Sequence, residues 1–427
     1  MKKAGSAMSK KLHLPCGCEG DDHHRAHATR IGPTRRATLD MLAAGGLWAG
    51  LGAALGGYPS PVRAAEDDVV RIGYLPITDA TALLVAHAKG FFKEEGLEAE
   101  RPTLIRGWSP LVEGFAAAKF NVVHLLKPIP VWMRYNNKFP AKIVAWGHTN
   151  GSGLVVGSHV TAQGFGELGG KVIAVPFWYS MHNIVLQLAL RESGLTPVIK
   201  GEGEAIGPKE VNLQILPPPD MPPALAAKKI DGYIVAEPFN ALGELKAGAR
   251  MLRFTGDIWK NHPCCVITMN ETVLKQKPEW SQKVVNAVVH GAIYASENKK
   301  EVARLLSKDG EGYLPVPADV VERAMTKYDA ETYGPTKAIR HADWGNGRID
   351  FQPWPYPSAT ELIVEAMGKT VVSGDTAFLK GLDPKVVANE LVDYTFVKKA
   401  LEKFPQWKND PSVSKGDPFV REEIVKV

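Results

Sequence analysis

Two adjacent cysteines, Cys264 and Cys265, follow His262-Pro263 and open the apolar run Val266-Ile267-Thr268-Met269. Thiols so placed admit three chemistries: inert buried groups on a strand, soft ligands for a metal such as copper, or a vicinal disulfide. The disulfide is strained, because consecutive Cα atoms lie about 3.8 Å apart, below the ordinary disulfide span. Buried thiols are the leading expectation. A soft metal needs further donors, for which Met181, His182 and Met221 are available. Trp108, in Gly107-Trp108-Ser109, offers a face on which a planar solute could stack. His182, in Ser180-Met181-His182-Asn183, falls at a helix mouth, where backbone N–H groups and the dipole favour an anion. Glu237-Pro238 follows a strand and is read as a structural carboxylate between lobes in preference to a partner for a cationic ligand. The sequence holds no nucleophile with a plausible base, P-loop, dinucleotide fingerprint or zinc-type spacing, which argues against catalysis. No cofactor and no bound metal is expected.

An alternation of strands and helices must position these groups. Val69 to Tyr74 is a short β-branched run closed by Pro76, and from Ala80 to Glu95 the residues Leu83, Leu84, Ala88, Phe91 and Phe92 recur at helical spacing before Gly96. Further apolar runs lie at Leu104–Ile105, Val122–Leu126, Ile143–Trp146, Leu154–Gly157, Val172–Val175, Leu213–Leu216 and Tyr233–Val235. Helical patterns at Ser180–Ser193 and Met221–Lys229 fall between them, and from Glu279 onward helix dominates. Strands alternating with helices predict parallel sheets covered on both faces, with ligands held off the carboxyl ends of the strands. The chain has 427 residues, 45% of them hydrophobic and 23% charged, which is material for two cores of roughly 150 residues each.

The formal net charge of +5 is misleading: residues 1–65 hold nine Lys/Arg against four Asp/Glu, leaving 42 of each sign beyond. A neutral body gives no basis for nucleic-acid binding. Within the basic stretch, Thr34-Arg35-Arg36-Ala37-Thr38-Leu39 precedes a weakly apolar Ala- and Gly-rich run from Met41 to Gly57, then Val62-Arg63-Ala64. This is the pattern of a cleaved twin-arginine export signal, too short and too weakly apolar to favour a membrane span. Upstream, Cys16, Cys18, His23, His24 and His27 form a tract that could bind metal transiently, but it lacks structural zinc spacing and is read as a discarded leader.

The order of motifs carries a resemblance. Ile72-Gly73-Tyr74-Leu75-Pro76-Ile77-Thr78-Asp79, Lys89-Gly90-Phe91-Phe92-Lys93-Glu94-Glu95-Gly96-Leu97, Pro217-Pro218-Pro219-Asp220-Met221, Asp231-Gly232, Glu237-Pro238-Phe239-Asn240 and Asp257-Ile258-Trp259 follow in sequence. Together they resemble the binding proteins of nitrate, bicarbonate, sulfonate and taurine ABC transporters, and most closely the nitrate and bicarbonate branch. The resemblance implies an α/β, two-lobed periplasmic binding protein fold (type II), each lobe a mainly parallel sheet flanked by helices. It implies a periplasmic monomer that captures a small molecule by lobe closure and hands it to an ABC permease and ATPase. The expected organisation is a signal at 1–65, lobe 1 at 66–158 and 269–365, lobe 2 at 159–268, and a helical tail at 366–427.

Carried across residue by residue, the resemblance makes Trp108 and His182 ligand contacts. Ser152 and Asp220 stand where the nitrate pattern has Gln, and Cys265 where it has Lys. With Glu237 these are the six expected ligand-site residues. A desolvated anion needs fixed positive charge or several donors, so losing a Lys and gaining an Asp disfavours nitrate. A neutral or cationic planar solute, such as a urea-, amidine- or pyrimidine-like compound, and an anion held by backbone donors and His182 remain as alternatives. The fold also resembles thiamin-pyrimidine synthases that use clustered Cys and a His, so an enzyme on this fold is the second functional reading. Copper binding is the third.

Overall fold

The computed structural model describes residues 68–427. Thirteen short strands are described: β1 (Ile72–Tyr74), β2 (Thr103–Leu104), β3 (Val122–Leu126), β4 (Ala141–Trp146), β5 (Thr149–Asn150), β6 (Ser152–Val156), β7 (Val172–Val175), β8 (Thr196–Val198), β9 (Glu210–Ile215), β10 (Gly232–Ala236), β11 (Arg250–Phe254), β12 (Cys265–Asn270) and β13 (Ile349–Asp350). Two sheets take most of them. The first runs β2-β1-β3-β12-β4, and the second β11-β6-β10-β7-β9-β8. Strands such as Val122–Leu126 and Gly232–Ala236 are buried along their whole length, as expected for strands covered on both faces.

Each sheet is parallel except for one reversed strand. In the first sheet β12 runs antiparallel to both β3 and β4, with Cys265 opposite Leu126. In the second, β6 runs antiparallel to both β10 and β11, with Ser152 opposite Ala236. Both reversed strands come directly after a crossing between sheets. Their amino ends therefore meet the carboxyl ends of their parallel neighbours, where ligands sit in open α/β sheets.

The crossings occupy residues 147–151 outward and 255–264 on the return. The boundaries expected at 158/159 and 268/269 are displaced, because the apolar runs 152–156 and 265–270 look alike in either lobe and only pairing assigns them. The helical region is also divided. Arg323 and Arg348 dock on Glu244 of the helix Phe239–Lys246, so much of 318–350 packs on the second lobe. Helices Pro384–Leu391 and Tyr394–Leu401 pack on the first, with Val392 bridged to Ile143 of β4.

Locally the periodicity is obeyed with one break. The helix expected over Ala80 to Glu95 is two, Thr81–Ala88 and Phe91–Glu94, divided at Gly90, whose φ of 79° is left-handed. The helix Pro278–Glu297 crosses Thr81–Ala88 so closely that a Cβ on Gly291 would lie 2.3 Å from the Ala82 carbonyl oxygen. Among the described residues, no helix is long and apolar enough to cross a membrane. The twin-arginine motif and the Cys/His tract lie outside them.

Candidate functional site

Four side chains of different chemistry meet at the crossings. Asp79 stands in the 3-10 turn Thr78–Ala80 beyond the carboxyl end of β1, His148 in the outward crossing, and Cys264 and Cys265 where the return crossing becomes β12. One ligating atom from each lies within 4.8 Å of all the others, and all four residues are fully buried. Asp79 Oδ2 is 2.8 Å from His148 Nε2 and accepts from the Cys265 thiol at 3.1 Å. The second lobe reaches the same point. His182, near the start of the helix Met181–Glu192, has Nε2 2.9 Å from Ser152 Oγ and 3.8 Å from Cys264 Sγ.

The backbone aims these groups through tight local geometry. Ser180 caps the His182 helix by accepting from the Asn183 N–H at 3.0 Å, fixing the first turn against β6. The two crossings pair with each other: Asn150 N–H donates to the His262 carbonyl, and Gly147 N–H to that of Cys265, both at 2.9 Å. Asn150 and Gly151 both have positive φ, 59° and 75°, which turns the chain sharply between His148 and Ser152.

Electrostatics differ from atom to atom. Burial alone would lower His148, but the Asp79 carboxylate and Cys264 outweigh it and push it up to about 10. Burial raises Asp79, only partly offset by His148. At Cys264 burial opposes ionisation, yet hydrogen bonding to Cys265 and the imidazoles of His182 and His148 hold the thiol well below its ordinary value. Cys265, buried beside Cys264 and the Asp79 carboxylate, is pushed well above. His124 accepts the Leu75 N–H at 2.9 Å, and burial drives it down to about 3, so it stays neutral. Burial also lowers His262, to about 4, and its Nε2 lies 2.7 Å from Thr255 Oγ1.

Of the six expected site residues, Ser152, His182 and Cys265 come together in this cluster. Trp108 lies one layer out: it is buried, edge-on to His124 at 5.6 Å between ring centroids, with its indole N–H unpartnered. Glu237 is buried elsewhere, its Oε1 2.6 Å from Arg348 Nη2, its Oε2 accepting the Ala241 N–H. Its carbonyl accepts from both the N–H and the hydroxyl of Thr78, joining the lobes as a structural residue would. Asp220 is exposed at the start of the helix Met221–Ala226 and is not drawn into the cluster. The acid at the cluster is Asp79, so the negative charge attributed to Asp220 enters from the opposite lobe. Asp79 and His148 were missed as site residues; the available signal was position, just past the ends of β1 and β4. Cys264 and Cys265 are both free and buried.

Two mixed, mainly parallel sheets joined by paired crossings, with a polar cluster where the strand ends meet, define the two-lobed periplasmic binding protein fold. The chain belongs to the NMT1-like family, whose profile matches residues 63–307. The nitrate/nitrite binding protein NrtA of Nostoc sp. is 27% identical over 62% of this chain and 62% of its own length. The bicarbonate transport ATP-binding protein CmpC of Synechocystis sp. is 25% identical over 56% of this chain. The chain thus spans less than two thirds of these curated relatives, and only 37% of CmpC. Among solved structures, the periplasmic nitrate-binding protein NrtA from Synechocystis PCC 6803 superposes with a TM-score of 0.66 at 17% identity, covering 80% of this chain and 90% of that one. A ligand-binding component of an ABC-type import system from Staphylococcus aureus, solved with zinc bound, gives 0.59 at 19% identity, covering 78% and 99%. At these identities the likeness is one of fold.

Proposed function

We propose that this chain is the exported solute-binding component of an ABC importer, working by lobe closure without turnover. One observation carries the reading: groups from both lobes and both crossings converge on a single buried polar cluster, with His182 and Ser152 of the second lobe against Cys264. A ligand held there contacts both lobes at once and so stabilises the closed arrangement that a permease would recognise. The relatives are named for nitrate and bicarbonate transport, which supports an importer role with a permease and an ATPase as partners. The Arg35-Arg36 leader supports delivery to the periplasm by the twin-arginine route.

The ligand we propose is not nitrate. Arg348 is paired with Glu237 and Glu244, Arg253 with Asp257, and Lys127 points its ammonium at the Trp146 ring. None of these leaves a fixed cation free for a small anion, and in the cluster His148, pushed up to about 10, is already paired with the Asp79 carboxylate at 2.8 Å. A thermal-shift panel of nitrate, bicarbonate, cyanate, sulfonates, urea, guanidine and pyrimidines tests this, and a shift with nitrate alone would overturn it. His182→Ala should abolish the shift given by the true ligand, because His182 carries the second lobe's contact with Ser152 and Cys264; undiminished binding would remove His182 from the site.

A further inference from the structure

Four atoms of the cluster are arranged as donors with too few protons among them. His148 Nε2 receives the Cys265 backbone N–H at 3.1 Å and faces Asp79 Oδ2 at 2.8 Å. A ring nitrogen carries either one proton or one lone pair, so it cannot donate to the carboxylate and accept from the amide together. Asp79 Oδ2 also accepts from the Cys265 thiol at 3.1 Å, while Asp79 Oδ1 and His148 Nδ1 are buried without hydrogen-bond partners. Lone pairs of nitrogen, oxygen and two sulfurs therefore converge on one small volume from which water is excluded. A cation resolves that conflict, because it accepts every lone pair at once.

From this geometry we infer that the crevice binds a thiophilic divalent cation of the zinc class, held by His148 Nε2, an Asp79 carboxylate oxygen and the sulfurs of Cys264 and Cys265. One imidazole, one carboxylate and two thiolates are a four-donor set of the kind zinc takes tetrahedrally. With metal–ligand distances of about 2.0–2.3 Å, the edges of such a tetrahedron are roughly 3.3–3.8 Å. The observed separations, from 2.8 Å to no more than 4.8 Å, bracket that size, so small side-chain rotations suffice. Ligation needs a lone pair on His148 Nε2 and two thiolates, so whatever protons those three atoms carry pass to solvent, with no net oxidation or reduction. His182, 3.8 Å from Cys264 Sγ, lets the second lobe sense occupancy. The inference names the occupant of the crevice and rests on its reading as a capture site.

Cobalt reports the site without relying on a destabilised variant. The chain has four cysteines, so in the full chain carrying Cys16→Ser and Cys18→Ser only Cys264 and Cys265 remain as thiols. That protein, reduced, stripped with chelator and titrated anaerobically with Co2+, should develop a thiolate-to-cobalt charge-transfer band and tetrahedral d–d absorption at one equivalent. Zn2+ should displace the band stoichiometrically and raise the melting temperature. His148→Gln should weaken binding at least roughly tenfold to hundredfold, the loss typical even of groups that only support a metal ligand. No charge-transfer band in the Cys16/Cys18-substituted chain overturns the inference, as does Cu(I) binding with no uptake of Co2+ or Zn2+. If the band is absent while an organic solute shifts the melting temperature, the metal assignment fails and solute capture stands. If the band appears but a strain lacking the chain takes up every tested solute and Zn2+ at the parental rate, the site stands and the importer reading fails.

Discussion

Lys127 shows what a single buried charge does here. Its ammonium has no hydrogen-bond partner, is fully buried and lies 4.8 Å from the Trp146 ring centroid. Burial holds its pKa well below the ordinary lysine value, with Glu423 only partly compensating. The unfolded chain therefore binds this proton more tightly than the folded one, so the residue costs stability below the ordinary lysine value and less as pH rises. Lys127→Met should stabilise the protein by about 1–3 kcal/mol near neutral pH, and by less at high pH. Melting curves of both proteins across pH 6 to about 10 check this; a variant melting lower throughout would mean that the contact with Trp146 outweighs the burial. At this scale the sequence was informative about residue types and weak about partners. Cys265 and His182 were legible as candidate ligand contacts only through the motifs that carry the family resemblance. Asp79 was legible only as part of a motif, since its partner Cys265 is 186 positions away.

Among the elements, the buried guanidinium of Arg348 helps tie the segment 318–350 to the second lobe, alongside Arg323 on Glu244. Arg348 contacts Glu237, Glu244 and the Tyr333 hydroxyl, with no exposed surface on its side chain. Removing it strands a buried carboxylate, so Arg348→Met should cost about 3–5 kcal/mol, and adding Glu237→Gln should restore a large part. Chemical denaturation of the single and double variants measures the difference; equal stabilities would show that Glu237 is not held by this pair. Glu244 adds an acid limb. Burial would raise it, but Arg348 and Arg323 hold it below its usual value, so its contribution is present above the unfolded glutamate value and fades as pH falls through the folded one. The outward crossing depends on Gly151, where a Cβ would lie 2.9 Å from Ile349 Cδ1 at a φ of 75°. Gly151→Val should destabilise by at least about 1–3 kcal/mol and misplace His148 and Ser152, which urea titration and ligand titration would separate.

Across the whole molecule, the lobes are joined by more than the crossings. The segment after the helix Pro357–Met367 reaches the second lobe, where Gln187 accepts the Val371 N–H at 2.8 Å and donates to its carbonyl at 2.7 Å. Asn183 reaches the same carbonyl, and the Tyr179 hydroxyl donates to the carbonyl of Asp375. Gln187→Ala removes both of its bonds to the strap, worth about 1 kcal/mol each. It should favour the open arrangement, raising the solution radius of gyration without ligand and weakening ligand binding on the order of tenfold. Small-angle scattering unchanged from wild type would show that the strap does not bias closure.

What the sequence determined by itself was local. Short apolar runs, helical spacing and glycine stops follow from steric and hydrophobic rules acting over a few residues, and they pointed to parallel sheets flanked by helices with ligands at strand ends; the two lobes were implied only by the resemblance that the ordered motifs carry. Which lobe owns 152–156 and 265–270 was decided only by pairing, because a buried apolar strand reads the same in either sheet. The reversal of β6 and β12 was likewise a tertiary matter. It brings the amino ends of two strands to the carboxyl ends of their neighbours and so places Cys264 and Cys265 beside Asp79, His148 and His182. No spacing rule connects residues so far apart in the chain. Their chemistry as a group exists only once the sheets have closed around them and excluded water.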